Sequence, residues 1–354
     1  MPKVAIVGTG WGTRVQVPTF RQAGLEIVGL WARSKEKGSR VAAVLSIPIC
    51  TTDYRTLLAN SEIDLISITT PPSTHAEMAI AALEAGKHVL CEKPTALNAA
   101  QAEEMLSAAG QHPKQLALID HQLRFLPYYQ KMRALIKEGY VGKVLYVEGL
   151  SIEDGMLNPK IHWHWWHNVQ EGGGRLGAVG SHLIDLTTWL VAQPVRAVEA
   201  TLRTFVSKRK DGAGITREVT SDDFFDLHLN FSDDAEGFLR GSDVTAGKAV
   251  HSILVAGSDG SLHWQAGELE GYRSETKKLE SLAVHENIQI PQGLHPTQWV
   301  KGSVYLGRAL RDVLEHGNLT ALAPAATFTD GLNVQRALDA ARQSSVEHNR
   351  VSIL

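Results

Sequence analysis

In the first 120 residues, short apolar runs alternate with stretches of helical spacing. Residues 4–7, 26–31, 64–69, 87–90 and 116–119 are runs of four to six residues rich in Val, Ile and Leu. Between them, apolar positions recur every three to four residues. The clearest case runs from residue 74 to 85, with Met78, Ala81, Ala82 and Leu83. Residues 98–109 form another, with Asn98 as the expected N-cap. Such short apolar strands alternating with helices predict parallel βαβ units, buried on both faces and joined by right-handed crossovers.

After residue 140 the rhythm changes. Residues 144–149, 195–205, 224–231, 236–242, 253–256 and 261–264 read as strands, separated by turn signals such as Ser232-Asp233-Asp234. Few helices intervene, which predicts an open, largely antiparallel sheet. Two helices, near 296–316 and 325–345, are expected to close the chain. The fold class is therefore α/β, a doubly wound parallel sheet followed by an α+β domain with a large open sheet. The expected domains are 1–122 and 123–354.

Length agrees with two domains: 354 residues at about 150 per domain. Lys and Arg number 35 against 38 Asp and Glu, a net charge of −3, which argues against a nucleic-acid partner. A hydrophobic share of 44% with 21% charged excludes global disorder. No window is long and apolar enough for a membrane span, and Met1-Pro2-Lys3 leads directly into a strand, so no signal peptide is expected. Cys50 and Cys91 are too few for a disulfide framework, and the expected compartment is the cytoplasm. The basic run Lys208-Arg209-Lys210 is expected to be a solvated hairpin tip.

Chemistry enters at Gly8-Thr9-Gly10-Trp11-Gly12-Thr13, directly after the first strand. The first glycine permits a tight turn, and the second lets backbone approach a pyrophosphate held by free N–H groups at a helix start. This predicts a Rossmann dinucleotide site. The usual third glycine would fall at Thr13, and Gly12 comes one place early. An acid about 20 residues on would grip the ribose of NAD. Ala32 stands there, followed by Arg33, Ser34 and Lys35, which could hold a 2′-phosphate. NADP is therefore favoured over NAD. Thr69-Thr70-Pro71-Pro72-Ser73-Thr74-His75 ends the next strand and is expected to border the nicotinamide, with Thr70, Pro71 and His75 as cofactor contacts. Cys91-Glu92-Lys93-Pro94 ends the following strand on the same side, making Glu92 a further contact. A lysine in such a cleft can donate to, or take a proton from, a substrate hydroxyl.

These motifs resemble the Gfo/Idh/MocA family, named for glucose–fructose oxidoreductase, inositol dehydrogenase and rhizopine catabolism. Residues 85–94, Ala-Gly-Lys-His-Val-Leu-Cys-Glu-Lys-Pro, are the most specific part of the likeness. Others are Arg124-Phe125-Leu126-Pro127, Gly172-Gly173-Gly174-Arg175-Leu176, Gly180-Ser181-His182-Leu183-Ile184-Asp185 and Phe328-Thr329-Asp330-Gly331-Leu332. The resemblance implies NAD(P)-dependent hydride transfer on a sugar, cyclitol or related alcohol. It implies that Lys93 binds substrate and assists proton transfer, that His182 is an acid/base, and that the Lys93–Pro94 bond is often cis. It also implies a homodimer or homotetramer formed through the C-terminal sheet. Polyol dehydrogenases of the family carry an aspartate four residues before that histidine, where this chain has Ala178. Asp185, one turn after His182, could contact histidine or substrate.

Arg124, Trp165 and Trp166 are candidate substrate contacts. His162-Trp163-His164-Trp165-Trp166-His167 would, as a strand, set His162, His164 and Trp166 on one face. A wall of aromatic rings against a sugar is one reading there and plain packing beneath the Gly172–Gly174 loop the other, and no metal is expected. Two other functions stay open: a nucleotide-sensing protein without turnover, and a redox-neutral glycosidase that uses bound NAD.

Overall fold

In the computed structural model, which describes residues 1–353, the N-terminal apolar runs become β1 (Lys3–Val7), β2 (Glu26–Trp31), β4 (Leu65–Ile68), β5 (His88–Cys91) and β6 (Ala117–Ile119). A short edge strand, β3 (Ile49–Thr51), is added. Its residues are half-buried or exposed, so it lacks the apolar run that marks the others. The strands are parallel in the order β6-β5-β4-β1-β2-β3. The helices between them are α1 (Val17–Ala23), α2 (Lys35–Val44), α3 (Arg55–Leu58), α4 (His75–Glu84) and α5 (Ala99–Gln111).

The main segment of the second compact unit starts with α6 (Pro127–Lys137) and β7 (Val144–Ile152), followed by α7 (Ser181–Val191) and β8 (Val195–Arg203). It continues through β9 (Lys208–Lys210), β10 (Thr216–Glu218), β11 (Phe224–Phe231), β12 (Glu236–Ser242), β13 (Val250–Gly257) and β14 (Gly260–Gln265). β15 (Glu268–Arg273) and β16 (Lys278–Ser281) extend the sheet past the last expected strand. The remaining elements of the chain are α8 (Gln298–His316), β17 (Ala326–Thr327), α9 (Phe328–Glu347) and β18 (Val351–Ser352). The large sheet has the order β16-β15-β14-β13-β7-β12-β11-β8-β18, and within it β12 and β7 pair in parallel.

Burial alternates along β11, with Phe225, Leu227, Leu229 and Phe231 inward. α7 packs on β7 and β12 over this inner face. The opposite face carries exposed Glu148, Phe238 and Arg240. In the β9–β10 hairpin Lys208 and Lys210 are exposed, but Arg209 turns inward. Its guanidinium donates to the carbonyls of Met156, Asn158 and Ile161. The solvated-tip expectation therefore describes the two lysines only.

The two compact units are Met1–Ala96, Ala100–Leu126 and Asn287–Leu332, and then Leu97–Ala99, Pro127–Glu286 and Asn333–Leu354. This differs from a single cut after residue 122 for a packing reason. Leu306 and Leu310 of α8 share one buried cluster with Val4, Ile6, Phe20 and Leu30. Gly307 lets α8 approach α1 closely, since a Cβ there would lie 3.0 Å from Phe20 and 3.1 Å from Ala23. β17 pairs antiparallel with β6. No helix among the described residues is long and apolar enough to cross a membrane.

Candidate functional site

The carboxyl ends of β1, β4, β5 and β6 lie side by side, each followed by a residue with a chemical or steric role. Thr69 N–H donates to the Val7 carbonyl at 2.8 Å, Glu92 N–H to Ile68 at 2.9 Å and Asp120 N–H to Cys91 at 2.8 Å. These bonds set Gly8, Thr69, Glu92 and Asp120 in a row. The chain order reverses at β1, which lies between β2 and β4. Open α/β sheets bind ligands at such a switch point.

The glycines after β1 do different work. Gly8 has φ +129°, and a Cβ there would lie 2.6 Å from Thr69 Oγ1 and 2.7 Å from its carbonyl oxygen. Gly12 lies against Ile6, whose Cγ2 would be 2.6 Å from an added Cβ. Gly10 is exposed, with no atom within 4 Å of the Cβ position. The early third glycine is absorbed by the backbone, because Gly12–Gln16 is a π-helical turn whose closing bond runs from Val17 N–H to the Gly12 carbonyl. Thr13 is buried and donates its hydroxyl to the Gly10 carbonyl at 3.3 Å. Trp11 begins this turn without a side-chain cap, and its buried Nε1 has no hydrogen-bond partner. A dinucleotide pyrophosphate fits these features: open space over Gly10, an uncapped helix start and an unused N–H donor.

At the end of β2, Ala32 is buried while Arg33 and Lys35 are exposed. Ser34 caps α2 by accepting from Lys37 N–H at 3.3 Å. In the loop after β4, Thr70 is buried, Pro71 is half-buried, and Thr74 donates to Thr70 Oγ1 at 2.7 Å. His75 is fully buried. Its Nδ1 lies 3.0 Å from the Pro94 carbonyl and its Nε2 2.9 Å from the Thr70 carbonyl. Burial holds its pKa below the usual imidazole value despite those carbonyls. His75 is thus a strut between two loops, with a carbonyl oxygen facing each ring nitrogen. Lys93 is half-buried, and its bond to Pro94 is cis. The Glu92 carboxyl turns inward, accepting from the Gln16 side-chain amide at 3.3 Å. Arg124 is buried and donates to Asp330 at 3.0 Å, so it is committed to a neighbour in its own unit.

In the second unit, His182 and Asp185 are buried one turn apart on α7, and Ala178 is buried in the π-helical turn Leu176–Gly180 before it. Trp165 and Trp166 are half-buried on a 3₁₀ turn, Trp165–His167, rather than on a strand. Local bonds explain the difference. His164 Nδ1 accepts from Trp166 N–H at 3.4 Å, while His167 Nδ1 accepts from His164 N–H at 3.1 Å. Trp163 is tied to the β9–β10 hairpin through Lys210 and Glu218. Among the described residues no three His, Cys, Asp or Glu side chains are placed to hold a metal.

Buried Arg175 lies just before the Leu176–Gly180 turn. It donates to Glu153 at 2.9 Å, pairs with Asp243 at 2.5 Å, and donates to the Ser151 carbonyl at 3.0 Å. His251 contacts the other oxygen of Glu153 at 3.1 Å. That hydrogen bond, with Arg175, holds Glu153 low, whereas burial pushes Asp243 up.

Comparison with known proteins identifies the family. Residues 2–119 match the oxidoreductase family with NAD-binding Rossmann fold, and residues 129–263 match the GFO/IDH/MocA C-terminal domain. The chain is 31% identical to glucose-fructose oxidoreductase domain-containing protein 2 of Mus musculus, over 98% of this chain and 91% of that one. The chain belongs to the Gfo/Idh/MocA oxidoreductase family. An oxidoreductase domain protein from Kribbella flavida superposes with a TM-score of 0.85 at 28% identity, over the full length of both chains. A levoglucosan dehydrogenase in complex with NADH and L-sorbose shares the fold, with a TM-score of 0.86 at 21% identity over 100% of this chain and 99% of that one.

Several residues of this Gfo/Idh/MocA protein stand near the strand ends without belonging to any sequence motif. Asp120 sits within Leu118-Ile119-Asp120-His121, the tail of an apolar strand. An acid at that strand end, matching Glu92 on its neighbour, was the available signal. Gln16 and Ser67 gave none.

Proposed function

We propose that this protein is an NADP-preferring oxidoreductase acting on a sugar, cyclitol or related alcohol or ketone. The observation that carries the reading is Lys93 at the end of β5, in the row of strand ends that continues to the open Gly10 loop. A bound nicotinamide dinucleotide would accept or donate the hydride. Gly8, Gly10, Trp11, Gly12 and Thr13 would hold its pyrophosphate, and Thr70, Pro71 and Glu92 belong to the loops that border it. Lys93 would bind the substrate oxygen and take or return its proton at Nζ. His182 would assist, with Asp185 one turn away and without the aspartate that Ala178 replaces. Trp165 and Trp166 offer aromatic surface to a sugar. The levoglucosan dehydrogenase complex lends a sugar-like substrate to the reading, through likeness of fold alone.

The preference for NADP rests on Ala32 with exposed Arg33 beside it. Charged hydrogen bonds of the kind Arg33 would make contribute about 1.5–3 kcal/mol each. Calorimetry with NADPH and NADH on wild type and Arg33→Ala tests it. The expected result is tighter NADPH binding that the substitution removes; equal affinities in the wild type contradict it. The same preparations, screened against sugars and polyols for nicotinamide turnover, test catalysis. Tight nucleotide binding with no turnover across the panel would favour the nucleotide-sensing alternative. The open sheet face, with exposed Phe238, is where a second copy of the chain would dock.

A further inference from the structure

The ends of β5 and β6 bring two acids together inside the first unit. Asp120 is fully buried and Glu92 is 7% exposed. The Gln16 side-chain amide donates to both, at 3.3 Å to Glu92 Oε1 and 2.9 Å to Asp120 Oδ2. Ser67 donates its hydroxyl to Gln16 Oε1 at 2.6 Å, which fixes the amide with its nitrogen toward the acids. One amide nitrogen within 3.3 Å of an oxygen of each holds the two carboxyls in a single small buried site. Like charges gathered on one amide in a buried site resist joint ionisation.

Burial, and then the charge of Asp120, push Glu92 well above the carboxylate range, and burial also raises Asp120. The other titratable groups here are few. Lys93 donates its backbone N–H to Glu92 Oε2 at 3.3 Å, and its charge draws both acids toward ionisation. The Cys91 thiol is pushed well up by burial and by both acids. His75 lies across the Lys93–Pro94 turn, and buried His121 follows Asp120. One ammonium can balance one carboxylate.

We propose that Glu92 and Asp120 share a single proton, so that the pair presents one negative charge to Lys93 and thereby sets the proton affinity of its amine. This rests on the reading of Lys93 as the proton-transferring group. Glu92 and Asp120 act through Lys93 and are positioning residues. Replacing one acid by its amide would leave the charge of the pair at −1, while replacing both would remove it.

The test uses the nucleotide-free protein. Lys93 is labelled with acetic anhydride across a pH series, and the extent is read by mass spectrometry of its peptide. Wild type, Glu92→Gln and Asp120→Asn should share one labelling midpoint. Glu92→Gln/Asp120→Asn should label with a midpoint lower by about 1–3 pH units, the shift expected when an adjacent opposite charge is lost. A single variant that moves the midpoint by half the double's shift would mean that both acids are ionised. A double variant with the wild-type midpoint would mean that the pair does not act on Lys93. Infrared spectroscopy should show the carbonyl stretch of a protonated carboxyl in the wild type, lost in Glu92→Gln. If the double variant fails to fold, this band and the single variants decide the matter, and absence of the band in the wild type overturns the proposal. Full turnover in Lys93→Met would remove the catalytic reading while leaving the shared proton standing.

Discussion

Gly8 and Gly10 stand two residues apart in one loop, yet alanine should act on them in opposite ways. At Gly8 the backbone has φ +129° and a Cβ would press on the Thr69 carbonyl at 2.7 Å. Holding an L residue in so sparsely populated a conformation costs about 1–3 kcal/mol. Relieving the clash with backbone of the neighbouring strand end costs about 1–3 kcal/mol more. Gly8→Ala should therefore lose about 2–6 kcal/mol of stability. Gly10 lies outside the left-handed region with no atom within 4 Å. Gly10→Ala should leave stability unchanged, or raise it by about 0.4–1 kcal/mol through the unfolded chain. Its methyl would instead stand where the pyrophosphate must approach. Losing one charged hydrogen bond of about 1.5–3 kcal/mol weakens nucleotide binding by roughly 10- to 100-fold. Urea unfolding gives the stabilities, and calorimetry with NADPH and NADH gives the affinities. A Gly10→Ala variant that binds both nucleotides as wild type does would show that the pyrophosphate does not cross this loop. Wild-type stability in Gly8→Ala would refute the steric account.

Arg175→Met should lower stability by about 3–5 kcal/mol, because Asp243 and Glu153 would lose their buried cation. The deficit should shrink as pH falls and Asp243, already pushed up by burial, takes a proton; urea unfolding at several pH values reads both effects, and a loss below about 1 kcal/mol at neutral pH would contradict them. For assembly, light scattering should find a dimer or tetramer in the wild type and a smaller species in Phe238→Glu, which sets a second acid opposite Glu148 on the open face. A monomeric wild type at micromolar concentration would remove that interface.

The parallel sheet and the large open sheet were legible because buried strands need apolar runs and half-buried strands need alternation. Ile49–Thr51 escaped because an edge strand needs neither. The return of 287–332 to the first unit was invisible because α8 reads as an amphipathic helix wherever it docks; the cluster joining Phe20 with Leu306 and the pairing of β17 with β6 reveal it. At the site, the glycine loop and Lys93 were readable from position after a strand. The inward turn of Glu92, the pairing of Arg124 with Asp330 and the strut role of His75 depend on contacts between segments far apart in sequence. A strand would have set His162, His164 and Trp166 on one face, but backbone bonds from His164 and Trp166 to histidine rings wind the run into a turn.

The central claim is that Lys93 carries the proton in a nicotinamide-dependent hydride transfer. It is tested most directly by single-turnover kinetics on a substrate found by screening, with wild type, Lys93→Met and His182→Ala compared and nucleotide affinity measured in parallel. Loss of a positioned acid/base group costs about 10²–10⁴ in rate. Lys93→Met should fall in that range, His182→Ala should lose less, and both should bind NADPH as wild type does. A larger defect in His182→Ala than in Lys93→Met, or undiminished turnover in Lys93→Met, would contradict the claim.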